Sequence, residues 1–426
     1  MTDTIFALSS GAPPAAIGVV RISGPAAGEA LCTLAGGLTP PRRAAFRLLS
    51  GRDGAPLDRA LVLWLPGPAT ATGEDMVELH LHGGRAVIAA VEAALAVLGL
   101  RRAAPGEFTR RAFANGRIDL AEAEGLADLL SAETELQRRS ALAMAGGVFS
   151  RQIESWRERV LVASAAIEAV LDFADEDDVA ALPEDFAARL EALVDEIGEW
   201  LRRPRAEVLR EGFRVVLAGP PNTGKSTLFN ALVESDAAIT TPIPGTTRDV
   251  LTRPVAIEGV PFLFVDTAGL RDGSDDAVEA IGIERARAEV RSADLVLWLG
   301  DEGRGPKGAW EVEPQVDRSP HPPKRAPRHR VSAVTGEGLP GLRQDLLAAA
   351  RAALPKSGEA ALNARQHELL GRAKAMLAST LVLDAGDPLI MAEHLRLARA
   401  AFDALVGRAT TEDMLDALFG RFCIGK

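Results

Sequence analysis

The chain has few cysteines and no long apolar run, and these absences limit what kind of protein it can be. Its 426 residues include two cysteines, Cys32 and Cys423. Two thiols provide no disulfide framework and suit a reducing compartment. The start, MTDTIFALSS, has no charged segment followed by an apolar one, so we expect no secretory signal. Charges interrupt the alanine-rich stretches before they reach the roughly 20 residues of a membrane span. We therefore expect a cytoplasmic protein without a membrane partner.

Positive charge is also in short supply. The chain carries 48 Lys and Arg residues against 59 Asp and Glu, a net charge of −11, which disfavours non-specific binding to a nucleic-acid backbone. One local group of arginines could face RNA, although solvated surface is the commoner role for such residues; it consists of Arg101, Arg102, Arg110, Arg111 and Arg117.

Apolar patterns predict a multidomain protein, as expected for this length. Strand-like runs broken by Gly and Pro, with one helical stretch at 87–100, predict an α+β domain over residues 1–117. Residues 118–210 and 349–426 have helical periodicity and predict two halves of one helical bundle domain. The intervening residues, 211–348, predict an inserted α/β domain. Its buried-strand runs lie at 214–219, 262–266, 294–300 and 330–334, and 301–330 has the composition of an irregular surface loop.

The strongest motif is GPPNTGKST at 219–227, which fits G-x-x-x-x-G-K-[ST] between a strand and a helix. Glycines at 219 and 224 let the backbone curl so that its N–H groups face a β-phosphate. Lys225 supplies positive charge to the β- and γ-oxygens, and the Ser226 hydroxyl suits Mg²⁺. The motif therefore predicts binding of a nucleoside triphosphate.

Later segments extend this prediction. Thr247 in GTTRD is the expected second ligand of Mg²⁺, and Asp266 in DTAG would hold the ion through water. Guanine-specific proteins of this class carry N-K-x-D, but this chain has PQVD at 314–317, which leaves Asp317 as the candidate reader of the base. The full set of expected nucleotide contacts is Asn222, Thr223, Gly224, Lys225, Ser226, Thr227, Thr241, Pro242, Ile243, Pro244, Gly245, Thr246, Thr247, Asp266, Thr267, Ala268, Gly269, Asp317, Ser332, Ala333 and Val334.

The residue after DTAG is Leu270, where small GTPases have a glutamine that orients water. Phosphoryl transfer also needs positive charge between the β- and γ-phosphates. Asn222 offers a neutral oxygen there, which suits a monovalent cation, and the segment TPIPGTT could add backbone carbonyls and the Thr246 hydroxyl.

PPNTGKS, TPIPGTTRD, DTAGL and IGIERA (281–286) resemble the potassium-activated GTPases. Nearly the whole chain resembles the bacterial tRNA-modification GTPases of the TrmE family, from DTIFA near its start to the terminal FCIGK. The resemblance includes GVVRISGP, TGEDMVELHLHGG, PGEFTRRAFANGRIDLAEAE and LDFADEDD.

For the G domain, the resemblance implies that two copies meet during hydrolysis. It implies K⁺ ligands at Asn222, Thr246 and the backbone of Thr241 and Ile243. It also implies that Glu279 orients the attacking water. Together with Lys225 and Thr247, Glu279 completes the expected set of catalytic residues.

For the outer domains, the resemblance implies a homodimer that binds a folate one-carbon donor, 5-formyl- or methylene-tetrahydrofolate, at Arg21, Glu78, Arg117 and Lys426. The family commonly has Lys where Arg117 stands. The implied partner is a flavoprotein, MnmG, which carries FAD and uses NADH in a heterotetramer or larger complex. Together they would modify carbon 5 of the wobble uridine of certain tRNAs with carboxymethylaminomethyl- or aminomethyl-type groups.

The sequence leaves two alternatives open. The chain could be an RNA-associated or ribosome-assembly GTPase switch, although such proteins add an RNA-binding module after the G domain, and helices follow here. The altered PQVD segment also allows a GTP-binding scaffold with weak turnover.

Overall fold

A computed structural model of the chain describes residues 3–172, 182–234, 238–240, 252–267, 284, 286–318, 323–356, 358–383, 387–409, 411–420, 422 and 424–425. The chain divides into two compact units, Met1–Ala127 with Asp403–Lys426, and Asp128–Phe402. The finer division with boundaries at 117, 210 and 348 stays a prediction.

The first unit is built on a six-stranded sheet. Its strands are β1 (Ile5–Leu8), β2 (Ile17–Ser23), β3 (Ala45–Ser50), β4 (Pro56–Leu65), β5 (Met76–His82) and β6 (Arg101–Arg102). They lie in the order β3-β4-β5-β2-β1-β6, and every pairing is antiparallel except that of β1 with β6. Alternate residues of β2 and β5, such as Val20 and Leu79, are buried because successive side chains point to opposite faces.

Three helices accompany this sheet: α1 (Ala27–Ala35), α2 (Arg85–Val97) and α3 (Glu107–Ala114). Leu31 of α1 and Val91 of α2 join the same buried cluster as the sheet residues. The predicted helix at 87–100 corresponds to α2, and the predicted α+β class of this region is confirmed.

Further helices follow in the two regions for which helical periodicity predicts them and in the inserted α/β region. They are α4 (Leu120–Ser131), α5 (Glu135–Ala145), α6 (Val148–Asp172), α7 (Phe186–Leu201), α8 (Ala206–Glu211), α9 (Lys225–Val233), α10 (Leu339–Ala353), α11 (Ala364–Leu381), α12 (Pro388–Leu405) and α13 (Glu412–Phe419). In α6, Trp156 is fully buried and its ring lies 6.0 Å from that of Trp200 and 6.1 Å from that of Phe402. Among the described helices, none has both the length and the apolarity needed to cross a membrane.

One side chain links two of these helices. Gln137 closes a capping box with Thr134 at the start of α5. Its Nε2 also donates to the carbonyl oxygens of Leu209 (3.0 Å) and Arg210 (3.4 Å) in α8. Because α8 leads directly into the strand before the phosphate loop, Gln137 helps to fix the approach to that loop.

The second unit contains a seven-stranded sheet. Its strands are β7 (Phe213–Ala218), β8 (Ala238–Thr240), β9 (Thr252–Ile257), β10 (Val260–Asp266), β11 (Leu295–Trp298), β12 (Trp310–Glu313) and β13 (His329–Arg330). The order is β13-β12-β11-β7-β10-β9-β8, with β9 antiparallel to both of its neighbours and the other pairings parallel. Five of the six β7 residues are buried, as expected for a central parallel strand covered on both faces.

Two predictions about this sheet were wrong. Residues 301–330, predicted as an irregular loop, contain β12, which pairs with β11 through Leu297 and Trp310. The ladder near 330–334 covers only His329 and Arg330; the next two residues have no regular structure, and 333–335 form a turn. The four residues of β12 are flanked by Pro, Gly and Arg, and tertiary pairing makes them a strand, so local composition did not indicate it.

Candidate nucleotide-binding site

The phosphate loop lies between the central strand β7 and helix α9. Gly219, Asn222 and Gly224 all have positive φ, at 153°, 63° and 87°. A Cβ built on Gly219 would lie 3.0 Å from the N atom of Gly300, so a side chain has little room there. Positive φ values describe a curled backbone. Glycine adopts them without strain, and asparagine tolerates the left-handed region better than most other residues. The loop therefore turns sharply and presents the N-terminus of α9, where N–H groups favour an anion.

Lys225 lies at the inner side of this loop. Lys225 is 4% exposed, and its Nζ donates to the Pro220 carbonyl oxygen at 2.6 Å. The Thr223 hydroxyl donates to the same carbonyl at 3.0 Å. Ser226 and Thr227, one step further along α9, are exposed. The loop thus encloses the Lys225 ammonium group, and the hydroxyl groups of Ser226 and Thr227 are accessible beside it.

The end of β10 brings an aspartate to the same edge of the sheet. Asp266 pairs in register with Leu217 of β7 and is 7% exposed. The hydroxyl of Thr267 donates to the Leu217 carbonyl at 2.8 Å. Because β7 and β10 are parallel, their carboxyl ends lie side by side. The structure therefore brings Asp266 and Thr267 to the edge of the sheet at which the phosphate loop begins.

The candidate base-binding residues lie in two linked loops. Asp317 is exposed in the loop after β12, and Val316 N donates to Val331 O at 3.4 Å. Ser332 is fully buried, and its hydroxyl accepts from the N–H of Thr335 at 3.0 Å. Ala333 is half-buried and Val334 exposed beyond it. Ser332 is therefore held as part of the turn.

Gln315 is a residue of this site that sequence reasoning missed. It stands where N-K-x-D has its lysine, a position to which the sequence assigned no role. In the structure the side chain lies against the phosphate loop: a Cβ built on Gly224 would meet Gln315 Nε2 at 2.9 Å and its Cγ at 3.4 Å. The position had no recognisable sequence signal, because contact between the two loops depends on the sheet.

Several predicted residues lie outside the described part of the chain. They are Thr241, Pro242, Ile243, Pro244, Gly245, Thr246, Thr247, Ala268, Gly269, Glu279 and Lys426, together with Leu270 and Cys423.

In the first unit, two of the predicted folate-binding residues are joined. Arg21 and Glu78 face each other on β2 and β5, with Nε and Oε1 2.9 Å apart. The second Glu78 oxygen lies 3.3 Å from His80 Nε2. Arg117 lies against the turn before β5, since a Cβ built on Gly73 would be 3.2 Å from its Cγ.

The predicted arginine group is not a uniform surface cluster. Arg111 is fully buried, and it donates to the Asp3 carbonyl oxygen and carboxylate, to Glu74 and to Glu107. The RNA-facing and solvated roles are therefore both wrong for Arg111. The neighbouring carboxylates raise its pKa despite the opposing effect of burial. One sequence signal indicated the contact with Glu107: Arg111 follows it by one helical turn, which places both residues on the same face of a helix.

Other members of the group also have carboxylate partners. Arg101 bonds to Asp3 and Glu107, whereas Arg110 bonds to Glu412 and Asp416. Hydrogen bonding from Arg101 lowers the pKa of Asp3. Burial by itself would raise the pKa of Glu107, but hydrogen bonds from Arg101, the Ala104 N–H and Arg111 outweigh it and lower that pKa. Much of the local positive charge is thus neutralised internally.

A curled G-x-x-x-x-G-K-S loop between a central parallel strand and a helix, with an aspartate at the end of the adjacent strand, defines a P-loop nucleotide-binding protein. Residues 4–117 match the family model described as the GTP-binding protein TrmE N-terminus, and residues 120–423 match that of the MnmE helical domain. The chain belongs to the family of the tRNA modification GTPase MnmE, which confirms the resemblance inferred from its motifs.

Individual relatives match over their full length. The tRNA modification GTPase MnmE of Erythrobacter litoralis is 64% identical over 425 residues, with 100% of both chains covered. That of Novosphingobium aromaticivorans is 64% identical over 439 residues with the same coverage. Among solved structures, the G domain of the T. maritima FeoB iron transporter is 26% identical, covers 32% of this chain and 98% of that chain, and has a TM-score of 0.23.

Proposed function

We propose that this chain is a GTP hydrolase that acts in the modification of tRNA. The observation that carries the proposal is a phosphate loop with Lys225 buried inside its curve, in a chain that matches tRNA modification GTPases over its full length. The loop backbone and the start of α9 would bind the phosphates, and Lys225 would neutralise charge on the β- and γ-oxygens. Asp317 would accept hydrogen bonds from guanine.

Mg²⁺ fits the oxygen atoms that the structure provides. The Ser226 hydroxyl is exposed at the start of α9, and the Asp266 carboxylate ends the neighbouring strand. Hydroxyl and carboxylate oxygens are the donors that this hard cation prefers, and Thr247 would be the third residue of the set. When bound, Mg²⁺ supplies charge that stabilises the phosphoryl oxygens. Ser226 and Thr247 would hold the ion directly, and Asp266 through water.

K⁺ is the proposed second cation. Asn222 is exposed and adopts φ of 63° in the phosphate loop, and its side-chain oxygen is a neutral donor that suits a monovalent ion. Thr246 and the backbone carbonyls of Thr241 and Ile243 would complete the set, and Glu279 would orient the attacking water. We further propose that two G domains approach each other across this face.

The first unit is the proposed folate-binding and dimerisation region. Arg21 and Glu78 form an ion pair across β2 and β5. A carboxylate such as Glu78 can accept the paired N–H groups of a pterin edge, and Arg117 with Lys426 can bind the anionic glutamate tail. 5-Formyl- or methylene-tetrahydrofolate would donate the carbon.

The proposed complex forms in the cytoplasm with the MnmG flavoprotein, as a heterotetramer or larger assembly. FAD would belong to that partner, and the product would be an aminomethyl- or carboxymethylaminomethyl-type group at carbon 5 of the wobble uridine. GTP turnover would drive a conformational cycle, because the carbon transfer itself needs no phosphoryl group.

The cation requirement gives the primary experiment. GTP hydrolysis by the full chain is measured in K⁺ and in Na⁺ at equal ionic strength. We expect faster turnover in K⁺. The variant Asn222→Gly, which accommodates the positive φ, should lose about 100-fold in that rate, the size of one transition-state electrostatic interaction. Asn230→Ala, at an exposed position of α9, is the matched control and should keep native turnover.

The outcomes distinguish a hydrolase from a scaffold and test the potassium site. Nucleotide binding with near-zero turnover in both cations would support a scaffold and refute hydrolysis. Equal, substantial rates in K⁺ and Na⁺ would leave hydrolysis intact and refute the potassium site.

A further inference from the structure

Gln315 covers the phosphate loop at one of its glycines. The Gly224 Cβ position has Gln315 Nε2 at 2.9 Å, Cγ at 3.4 Å and Cδ at 3.5 Å as its nearest neighbours. The amide end of the side chain therefore lies across the Gly224 backbone. The φ of 87° at Gly224 favours glycine, and the Gln315 side chain occupies the space beside its Cα.

The backbone of Gln315 is held in an unfavourable conformation. Its φ of 57° lies in the left-handed region, which a residue with a Cβ seldom adopts. Asn222, in the loop that Gln315 faces, is another such residue, with φ of 63°. Conformations of this kind persist only where the surroundings enforce them, and they concentrate at functional sites.

The surroundings of Gln315 are anchored to the sheet. Its carbonyl accepts from Arg318 N at 3.0 Å, and Val316 N donates to Val331 O. Glu313, two residues before Gln315, pairs in register with Arg330 at the end of the β12–β13 ladder. The side chain thus extends from a fixed base onto the phosphate loop.

We propose that Gln315 is a positioning residue that clamps the phosphate loop in its curled form and couples it to the base-reading loop at 314–317. The expected consequence of the clamp is tighter nucleotide binding, and in this respect the inference rests on the proposed function. Because the clamp acts on the phosphate side, it should tighten binding of any nucleoside diphosphate equally. Asp317, in contrast, discriminates between bases. A neutral amide performs this role without adding charge beside Lys225.

Two variants of Gln315 test the clamp without imposing strain. Gln315→Gly removes the side chain, and Gln315→Asn keeps an amide that is one methylene shorter; both residues tolerate the left-handed backbone. The control is Glu258→Gly, because Glu258 has φ of 47° in the hairpin between β9 and β10 and its side chain pairs with Arg351. It relieves similar strain in the same unit at a position away from the phosphate loop.

Calorimetry of the full chain measures Kd for GDP and for inosine diphosphate, which lacks the exocyclic amine. Both Gln315 variants should lose about tenfold in affinity for each ligand, because the nucleotide would then have to order a loop that is no longer held, with the ratio of the two Kd values unchanged. Glu258→Gly should bind as the native chain does. A loss confined to GDP would assign Gln315 to base recognition and overturn the clamp.

Hydrogen exchange of the nucleotide-free chain provides a second readout. Amides of Gly219 and of residues 222–226 should exchange faster in both Gln315 variants and at the native rate in Glu258→Gly. Native exchange there together with native GDP affinity would refute the clamp. If the native chain bound neither diphosphate, the proposed function would fail, while the exchange comparison would still decide whether Gln315 holds the loop.

Discussion

Replacing Arg111 by methionine tests the buried ionic network of the first unit. Arg111 has no exposed side-chain area, and it joins Asp3, Glu74 and Glu107. Methionine retains length and packing but removes the guanidinium group. The carboxylates of Asp3, Glu74 and Glu107 would then lose the guanidinium group that they share.

The expected cost follows from their exposure. The Glu74 and Glu107 side chains are 13% and 11% exposed, and that of Asp3 is 47% exposed. Removing one partner of a buried ion pair costs roughly 3–5 kcal/mol. Asp3 is open to solvent and Arg101 still binds two of the carboxylates, so we expect the lower end, about 3 kcal/mol. For a unit of about 150 residues this lowers Tm by roughly 6–12 °C.

The measurement is scanning calorimetry of the full chain, with hydrogen exchange in α3 and β5 to assign the transition to the first unit. The matched control is Arg110→Met, one residue away on α3. Arg110 is 33% exposed and binds the exposed carboxylates of Glu412 and Asp416, so its loss should cost less than about 1 kcal/mol.

The pH dependence of this difference has a defined sign. The pKa values of Asp3 and Glu107 are lowered in the fold from 3.8 and 4.5. Their ionic contribution is present above those unfolded values and is lost as pH falls through the lower folded values. The gap in stability between native chain and Arg111→Met should therefore be full at pH 7 and shrink below about pH 4.5. Equal stability of the two Met variants at pH 7 would refute the network.

Two further predictions concern the second unit. Asp317→Asn should weaken GDP binding by about 2 kcal/mol, through loss of charge-assisted hydrogen bonds to guanine, and leave ADP binding unchanged in calorimetry; unchanged GDP affinity would place base recognition elsewhere. Gln137→Ala removes the reciprocal cap of α5 and its bonds to Leu209 and Arg210. It should cost about 1–2 kcal/mol in chemical denaturation. Glu133→Ala, at an exposed position just before the same helix, is its control, and an equal loss in both would argue against the Gln137 bridge.

Local sequence was sufficient where the chemistry is contiguous. The phosphate loop needs glycines, lysine and a hydroxyl within nine residues, so GPPNTGKST predicted both its conformation and the helix that follows. Strong periodicity similarly identified α6 and α2, because burial of one face repeats along the chain. The family could be recognised for the same reason, since its motifs are short and continuous.

The tertiary structure decided what depends on distant partners. β12 is a strand because β11 pairs with it, although its own residues are surrounded by Pro and Arg. Arg111 is buried because acidic groups from three separate segments converge on it, while Arg110 beside it faces outward. Gln315 meets Gly224 only because the sheet places two loops, ninety-one positions apart in sequence, at one edge. A side chain's type and spacing determine its local conformation, but its burial and charge balance depend on which remote groups the fold brings within contact.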